Sequence, residues 1–171
     1  SGQTASASAT NSIAIGAGAI AGTTSEGNEI AIGRYATAKG VGGEIAIGLE
    51  TEALQQSAVA VGEKAKATSN YTTAIGFGAN ATASSATALG RSTAATGEAA
   101  TALGVYANAS GKAATAIGDS TIASGNGSVA EGMNSKATAL SAVAIGYVAE
   151  ASGASAIALG RKTTASGQYA T

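Results

Sequence analysis

Ser57-Ala58-Val59-Ala60-Val61-Gly62 returns as Ser141-Ala142-Val143-Ala144-Ile145-Gly146 and again as Ser155-Ala156-Ile157-Ala158-Leu159-Gly160. Relaxed to [I/V/T]-A-[I/L/V/E]-G, the pattern closes on eleven glycines, at 16, 33, 48, 62, 76, 90, 104, 118, 132, 146 and 160, and from Gly48 onward their spacing is fourteen residues without a slip. A fixed period of this kind marks a stacked array, which presents an extended surface and not a catalytic pocket. The first two intervals are seventeen and fifteen residues. The extra residues are expected to bulge as loops, over 23–29 and 41–44.

Let Ile45, Val59, Thr73, Thr87, Thr101, Thr115, Val129, Val143 and Ile157 hold position 1 of the coil, with Ile13 and Ile30 opening the two longer coils. Positions 2 and 9 are then alanine and position 4 glycine in all eleven coils. Charge follows the same phase. Arg34, Glu63, Arg91, Asp119 and Arg161 fall on position 5, with the remaining charges on positions 6, 8, 10 and 12; Glu26, Glu29 and Glu44 belong to the two lengthened coils. Only Glu131, at position 3, breaks the rule.

Positions 6 to 10 alternate polar and small apolar residues, as in Lys64-Ala65-Lys66-Ala67-Thr68. Period two predicts an outer strand with one face in water. Positions 14 to 3 avoid charge on both faces, so this inner strand is expected to be covered on both. Two strands and two turns per coil give a very narrow parallel β-solenoid, and eleven coils rising by the strand spacing make a rod of roughly 50 Å. Position-4 glycines suit a sharp turn with positive φ or close backbone approach. Position 11, glycine in six coils, marks the return turn.

Two assignments of the inner strand's faces are open. In the preferred one the branched residues at 1 and 3 pack inside against positions 7 and 9, since large against small fills a thin roll. Ala14, Ala31, Ala46, Ala60, Ala74, Ala88, Ala102, Ala116, Ala130, Ala144 and Ala158 would then face a partner copy. The opposite assignment leaves the need for a partner unchanged.

Only six residues are aromatic and none is proline. An alanine-dominated chain of this kind does not build a conventional globular core. A net charge of −1 makes no electrostatic case for nucleic acid or an anionic membrane. No run of eighteen apolar residues or secretion signal is present in the sequence, and Thr171 falls on position 1 of a twelfth repeat, so residues 1–171 read as a single β-roll array taken from a longer chain.

Asn11-Ser12-Ile13-Ala14-Ile15-Gly16 resembles the N-S-V-A-I-G repeat of the YadA-type head of trimeric autotransporter adhesins, and the later hexapeptides quoted above are similar to the same unit. The resemblance covers essentially the whole chain. It implies an all-β fold, a left-handed parallel β-roll of 14-residue coils assembled as a homotrimer, displayed at the surface of a Gram-negative bacterium and anchored in the outer membrane through other segments. It also implies binding to host extracellular-matrix proteins such as collagen, fibronectin or laminin, or to host cells, and autoaggregation. Position 14 is mostly alanine here where the family often shows serine, and four consecutive coils carry threonine at position 1.

Catalysis has little to stand on. There is no His or Cys to act as base, thiol nucleophile or typical zinc ligand, and no cofactor or metal is expected. Gly76-Phe77-Gly78 mimics part of a dinucleotide fingerprint, but the repeat accounts for it. Asn70, Asn80, Asn108 and Asn126 open N-glycosylation patterns that arise easily in a Ser/Thr-rich chain, and their side chains are expected to serve turns. Glu131 would lie on an apolar face, with a local distortion bringing its carboxylate to solvent or a hydroxyl, or else a buried site for water or an ion. A structural spacer and an ice-binding solenoid are the alternative functions. The second hinges on whether Thr73, Thr87, Thr101 and Thr115 are exposed. Ligand contacts are expected to spread over positions 5, 6, 8, 10 and 12.

Overall fold

A computed structural model describes residues 3–22 and 27–171. Three-residue strands, from Ile13–Ile15 to Ile157–Leu159, alternate with two-residue strands, from Ser6–Ala7 to Thr164–Ala165. They form two parallel sheets, one of eleven three-residue strands and one of twelve two-residue strands, each strand pairing with its counterpart one coil away. The register is the repeat itself: Thr73 lies beside Thr87, Ala74 beside Ala88 and Ile75 beside Leu89. The expected parallel β-solenoid is present. Its twelfth short strand, Ser6–Ala7, extends the ladder ahead of the first complete coil by pairing with Ile20–Ala21.

The lengthened coils keep this register, with Ile13 opposite Ile30 and Ile30 opposite Ile45. Extra length is therefore confined to the connections, as expected for 41–44. Within 23–29, residues 23–26 lie outside the described residues.

Both turns of a coil are built alike. The N–H of position 7 donates to the carbonyl of position 4, as Ala65 does to Gly62 at 3.2 Å, and the N–H of position 14 to the carbonyl of position 11, as Ala100 does to Gly97 at 3.1 Å. Each turn also bonds to the turn of the next coil, Ser92 N–H to the Phe77 carbonyl at 2.8 Å and Ala99 N–H to the Ser84 carbonyl at 2.9 Å. The backbone ladder thus runs around the coil and does not stop at the strand ends, which leaves few polar backbone groups to hydrate. At the exit of the three-residue strand Gly48 has φ +137°, and a Cβ there would lie 2.7 Å from the carbonyl oxygen of Gly62. The expectation of both a positive φ and a close approach is met.

Positions 6 and 13, one in each turn, occupy the left-handed region in coil after coil, and most of them are not glycine. Tyr106, Val148 and Lys162 at position 6 and Ser57, Tyr71 and Ala99 at position 13 all lie between φ 54° and 59°. That conformation costs an L-residue about 1–2 kcal/mol. It persists because the turn closure and the inter-coil bonds fix it.

The core is a layer of methyl groups. Alanines at positions 2, 7, 9 and 14 are buried, and where Thr or Ser replaces alanine at 7 or 14 its hydroxyl usually bonds the carbonyl three residues back: Thr51 to Gly48 at 2.8 Å, Thr72 to Ser69 at 2.6 Å, Thr163 to Gly160 at 3.0 Å. This reverses the preferred face assignment. Ala31, Ala46, Ala60, Ala74, Ala88, Ala102, Ala116, Ala130, Ala144 and Ala158 lie inside the single chain and cannot face a partner, and Ala14, at the first coil, is half-buried against the same core. The reason is the span of the turns. A four-residue turn closed by one hydrogen bond draws the two sheets together, so the regular coils admit alanine, serine and threonine inside and the larger aliphatic residues at positions 1 and 3 point outward.

Candidate functional surface

Three surfaces run the length of the roll. The outward face of the eleven-stranded sheet carries positions 1 and 3, a double file of Ile, Val, Leu and Thr in register from coil to coil. Much of it is open in the single chain: Leu89 and Leu103 are 40% and 39% exposed, and Ile15, Ile47, Ile75, Ile157 and Leu159 are exposed as well. Glu131 sits in this file between Ile117 and Ile145, with its strand undistorted and its side chain exposed. Neither the expected distortion nor a buried site is found, because position 3 faces outward throughout. Thr73, Thr87, Thr101 and Thr115 form one ladder on the same face, Thr101 exposed and the others half-buried.

The outward face of the twelve-stranded sheet carries position 8, which is polar or charged in most coils. Lys66 pairs with Glu52 of the preceding coil at 3.3 Å, and Lys136 lies in register with Glu150. Asn80 and Asn108 are on these strands, not in turns as expected; Asn126 does serve a turn, its Oδ1 accepting the N–H of Lys112 at 3.1 Å. A groove of about 350 Å³ on this side is lined by Tyr35, Thr37, Glu50, Glu52, Lys64 and Lys66.

The turns form the third surface, and here the sequence reading missed a feature. All six aromatic residues, Tyr35, Tyr71, Phe77, Tyr106, Tyr147 and Tyr169, are exposed, and every one stands at a turn position, 5, 6 or 13. Three arginines at position 5 lie over tyrosine rings: Arg34 on Tyr35 at 5.4 Å, Arg91 on Tyr106 at 4.8 Å and Arg161 on Tyr147 at 5.6 Å from the ring centroid. Glu98 and Lys112 form a 2.9 Å ion pair along the other turn edge, where Tyr71 Oη also donates to Gln56 Oε1 at 2.9 Å. The signal lay in the phase of the aromatics, which is as regular as that of the charges.

Among the described residues no group of three or more His, Cys, Asp or Glu is gathered, and no helix is long and apolar enough to cross a membrane. Segments 1–19, 53–79, 67–93, 81–107, 95–121, 109–135, 123–149, 137–163 and 151–171 match the model of the YadA head domain repeat, each full segment spanning about two coils and overlapping the next. The chain belongs to the YadA head domain family. A YadA head is an adhesin-like domain of surface-exposed autotransporters, in a family that implies trimeric assembly and host binding in general terms and is non-enzymatic in kind. The matched segments of this YadA head pass over 20–52, the stretch that holds its two lengthened connections. A comparison with curated proteins found no match.

Proposed function

We propose that the chain is a non-enzymatic adhesin head that forms a left-handed, homotrimeric β-roll and binds host extracellular-matrix proteins, collagen, fibronectin or laminin, or host cells, through its turn edges. One observation carries this reading: every aromatic residue and three arginines stand exposed on the turns of a roll whose core is alanine. Tyr and Arg are the residues that dominate binding at protein interfaces, and a fold that needs none of them inside has placed them all where a ligand can reach. Trimer formation is supported by the outward apolar file at positions 1 and 3, a contiguous exposed surface of the kind that marks an interaction site. Autoaggregation follows from the same exposed edges meeting those of another cell, with the head displayed at the surface of a Gram-negative bacterium and attached to its outer membrane.

Solid-phase binding of the purified protein to collagen, fibronectin and laminin, before and after replacement of Tyr35, Tyr106 and Tyr147 by alanine, is the test. Saturable binding to at least one of them that falls at least tenfold in the triple variant supports the reading. Binding at background to all three and to host cells makes this roll a spacer.

A further inference from the structure

Position 14 is alanine, serine or threonine in every coil of regular length. Where the roll closes its two longer connections, it is Glu29 and Glu44. The carbonyl of Glu29 accepts the N–H of Ile13 at 2.9 Å and that of Glu44 accepts the N–H of Ile30 at 2.9 Å, so the two residues occupy equivalent places on successive rungs, about 4.8 Å apart along the roll.

Both glutamates are fully buried. Neither oxygen of Glu29 has a hydrogen-bond partner, and on Glu44 only Oε2 has one, the N–H of Gly42 at 3.1 Å; Glu44 Oε1 has none. The ion pairs among the described residues, Lys64–Glu63, Lys66–Glu52 and Lys112–Glu98, all lie elsewhere. Three buried carboxylate oxygens are thus left without a proton donor, a condition that native interiors resolve with a water or an ion.

The surroundings are shaped to these side chains. A Cβ on Gly22 would lie 3.2 Å from Glu29 Oε2, and a Cβ on Gly40 would fall 2.5 Å from the Glu44 carboxyl carbon. Each glutamate therefore reaches back to a glycine of its own coil, and a larger residue at position 40 would displace the Glu44 carboxylate.

We propose that Glu29 and Glu44, on successive rungs, form an interior site for a divalent cation of the calcium class. Two carboxylates balance a charge of +2, and a donor set made only of oxygen selects a hard cation. An irregular pair of carboxylates suits the larger and more adaptable shell of Ca2+ over the strict octahedron of Mg2+, with water completing the coordination. The cation would tie the two irregular coils to each other at the point where the repeat is broken.

The test compares melting of the 171-residue protein after dialysis against EDTA with melting after addition of CaCl2 or MgCl2, alongside native mass spectrometry. Expected are one calcium retained per chain and a rise in Tm of about 5–10 °C when calcium stands at a hundredfold excess over Kd. Magnesium should give less, and no calcium response should remain in Glu29→Gln/Glu44→Gln. If that variant does not fold, the stoichiometry on the unaltered chain decides. No retained calcium with melting unchanged by the chelator, or a calcium response of the same size in a folded double variant, overturns the proposal.

Discussion

Ala102→Leu probes the inverted core at its centre. Ala102 is completely buried, flanked in register by Ala88 and Ala116, and its strand packs on Asn108–Ala109, whose inward residue is again a buried alanine. Leucine adds three carbons where each sheet contributes one methyl, and overpacking of this kind costs about 1–3 kcal/mol. The upper end applies, because no neighbour has a rotamer to yield and the turns fix the sheet separation. At roughly 2–4 °C per kcal/mol for a chain of this size, the melting point should drop by about 6–12 °C. Circular dichroism at fixed concentration reads this directly. The control is Asn108→Leu, which adds similar apolar bulk on the outward face of the neighbouring strand, beside Ile122 of the next coil, and should move melting by less than about 2 °C. If Ala102→Leu melts within about 2 °C of the parent, position 2 has free space beyond its methyl and the inside-out reading of the coil is refuted.

Gly48→Ala forces a Cβ to within 2.7 Å of the next coil's carbonyl at φ +137°. A loss of at least about 3 kcal/mol in urea unfolding is expected from strain and clash together. Val148→Gly should act in the opposite direction, because a β-branched residue at φ 56° relinquishes about 1–2 kcal/mol of strain against roughly 0.5–1 kcal/mol of added chain entropy; a urea midpoint equal to or below the parent's would count against it. Leu89→Asp with Leu103→Asp places carboxylates in adjacent rungs of the outward apolar file and should lower the mass seen by light scattering from three chains to one, whereas unchanged association would move the proposed interface elsewhere. Thermal hysteresis should be absent, since the threonine ladder is one file wide, only Thr101 of it is exposed, and it ends after Thr115; any measurable depression of ice growth would reopen that function.

The period in the sequence was enough for the parallel solenoid and for the in-register pairing, because each coil repeats the same steric demand at the same phase. Gly48 and its ten counterparts also announced the turn, since a residue type that never varies at a phase reports a backbone requirement. The faces of the inner strand were not legible. Alternation says that positions 1 and 3 share one side and 2 and 14 the other, but it does not say which is inside. The usual rule that larger apolar residues go inside points the wrong way when two four-residue turns set the sheet separation. Left-handed residues at positions 6 and 13 were hidden for a different reason: Tyr106, Val148 and Ala99 are not turn formers by type, and the inter-coil bonds impose the conformation on them. Glu29 and Glu44 were visible as charges in irregular coils, yet only the fold shows them on equivalent rungs with their carboxylates turned inward.

The coil divides its residues into two classes with separate duties. Phases 2, 4, 7, 9 and 14 are held by the narrow interior and the turn, whereas phases 5, 6, 8, 12 and 13 carry side chains that the ladder holds in place whatever their type. The outer phases can therefore diverge without disturbing the rod. On the 5/6 edge this freedom has produced three Arg–Tyr pairs, Arg34–Tyr35, Arg91–Tyr106 and Arg161–Tyr147, about four rungs apart in turn. At the strand spacing of about 4.8 Å that separation is roughly 20 Å, so a fibrous ligand lying along the edge would meet an Arg–Tyr pair about every 20 Å. Each contact alone is weak. For the proposed adhesin, rigid mounting on one ladder would keep the second and third within reach once the first had formed, which would turn modest affinities into avidity and make the length of the roll, more than any one residue, the quantity that sets adhesion strength.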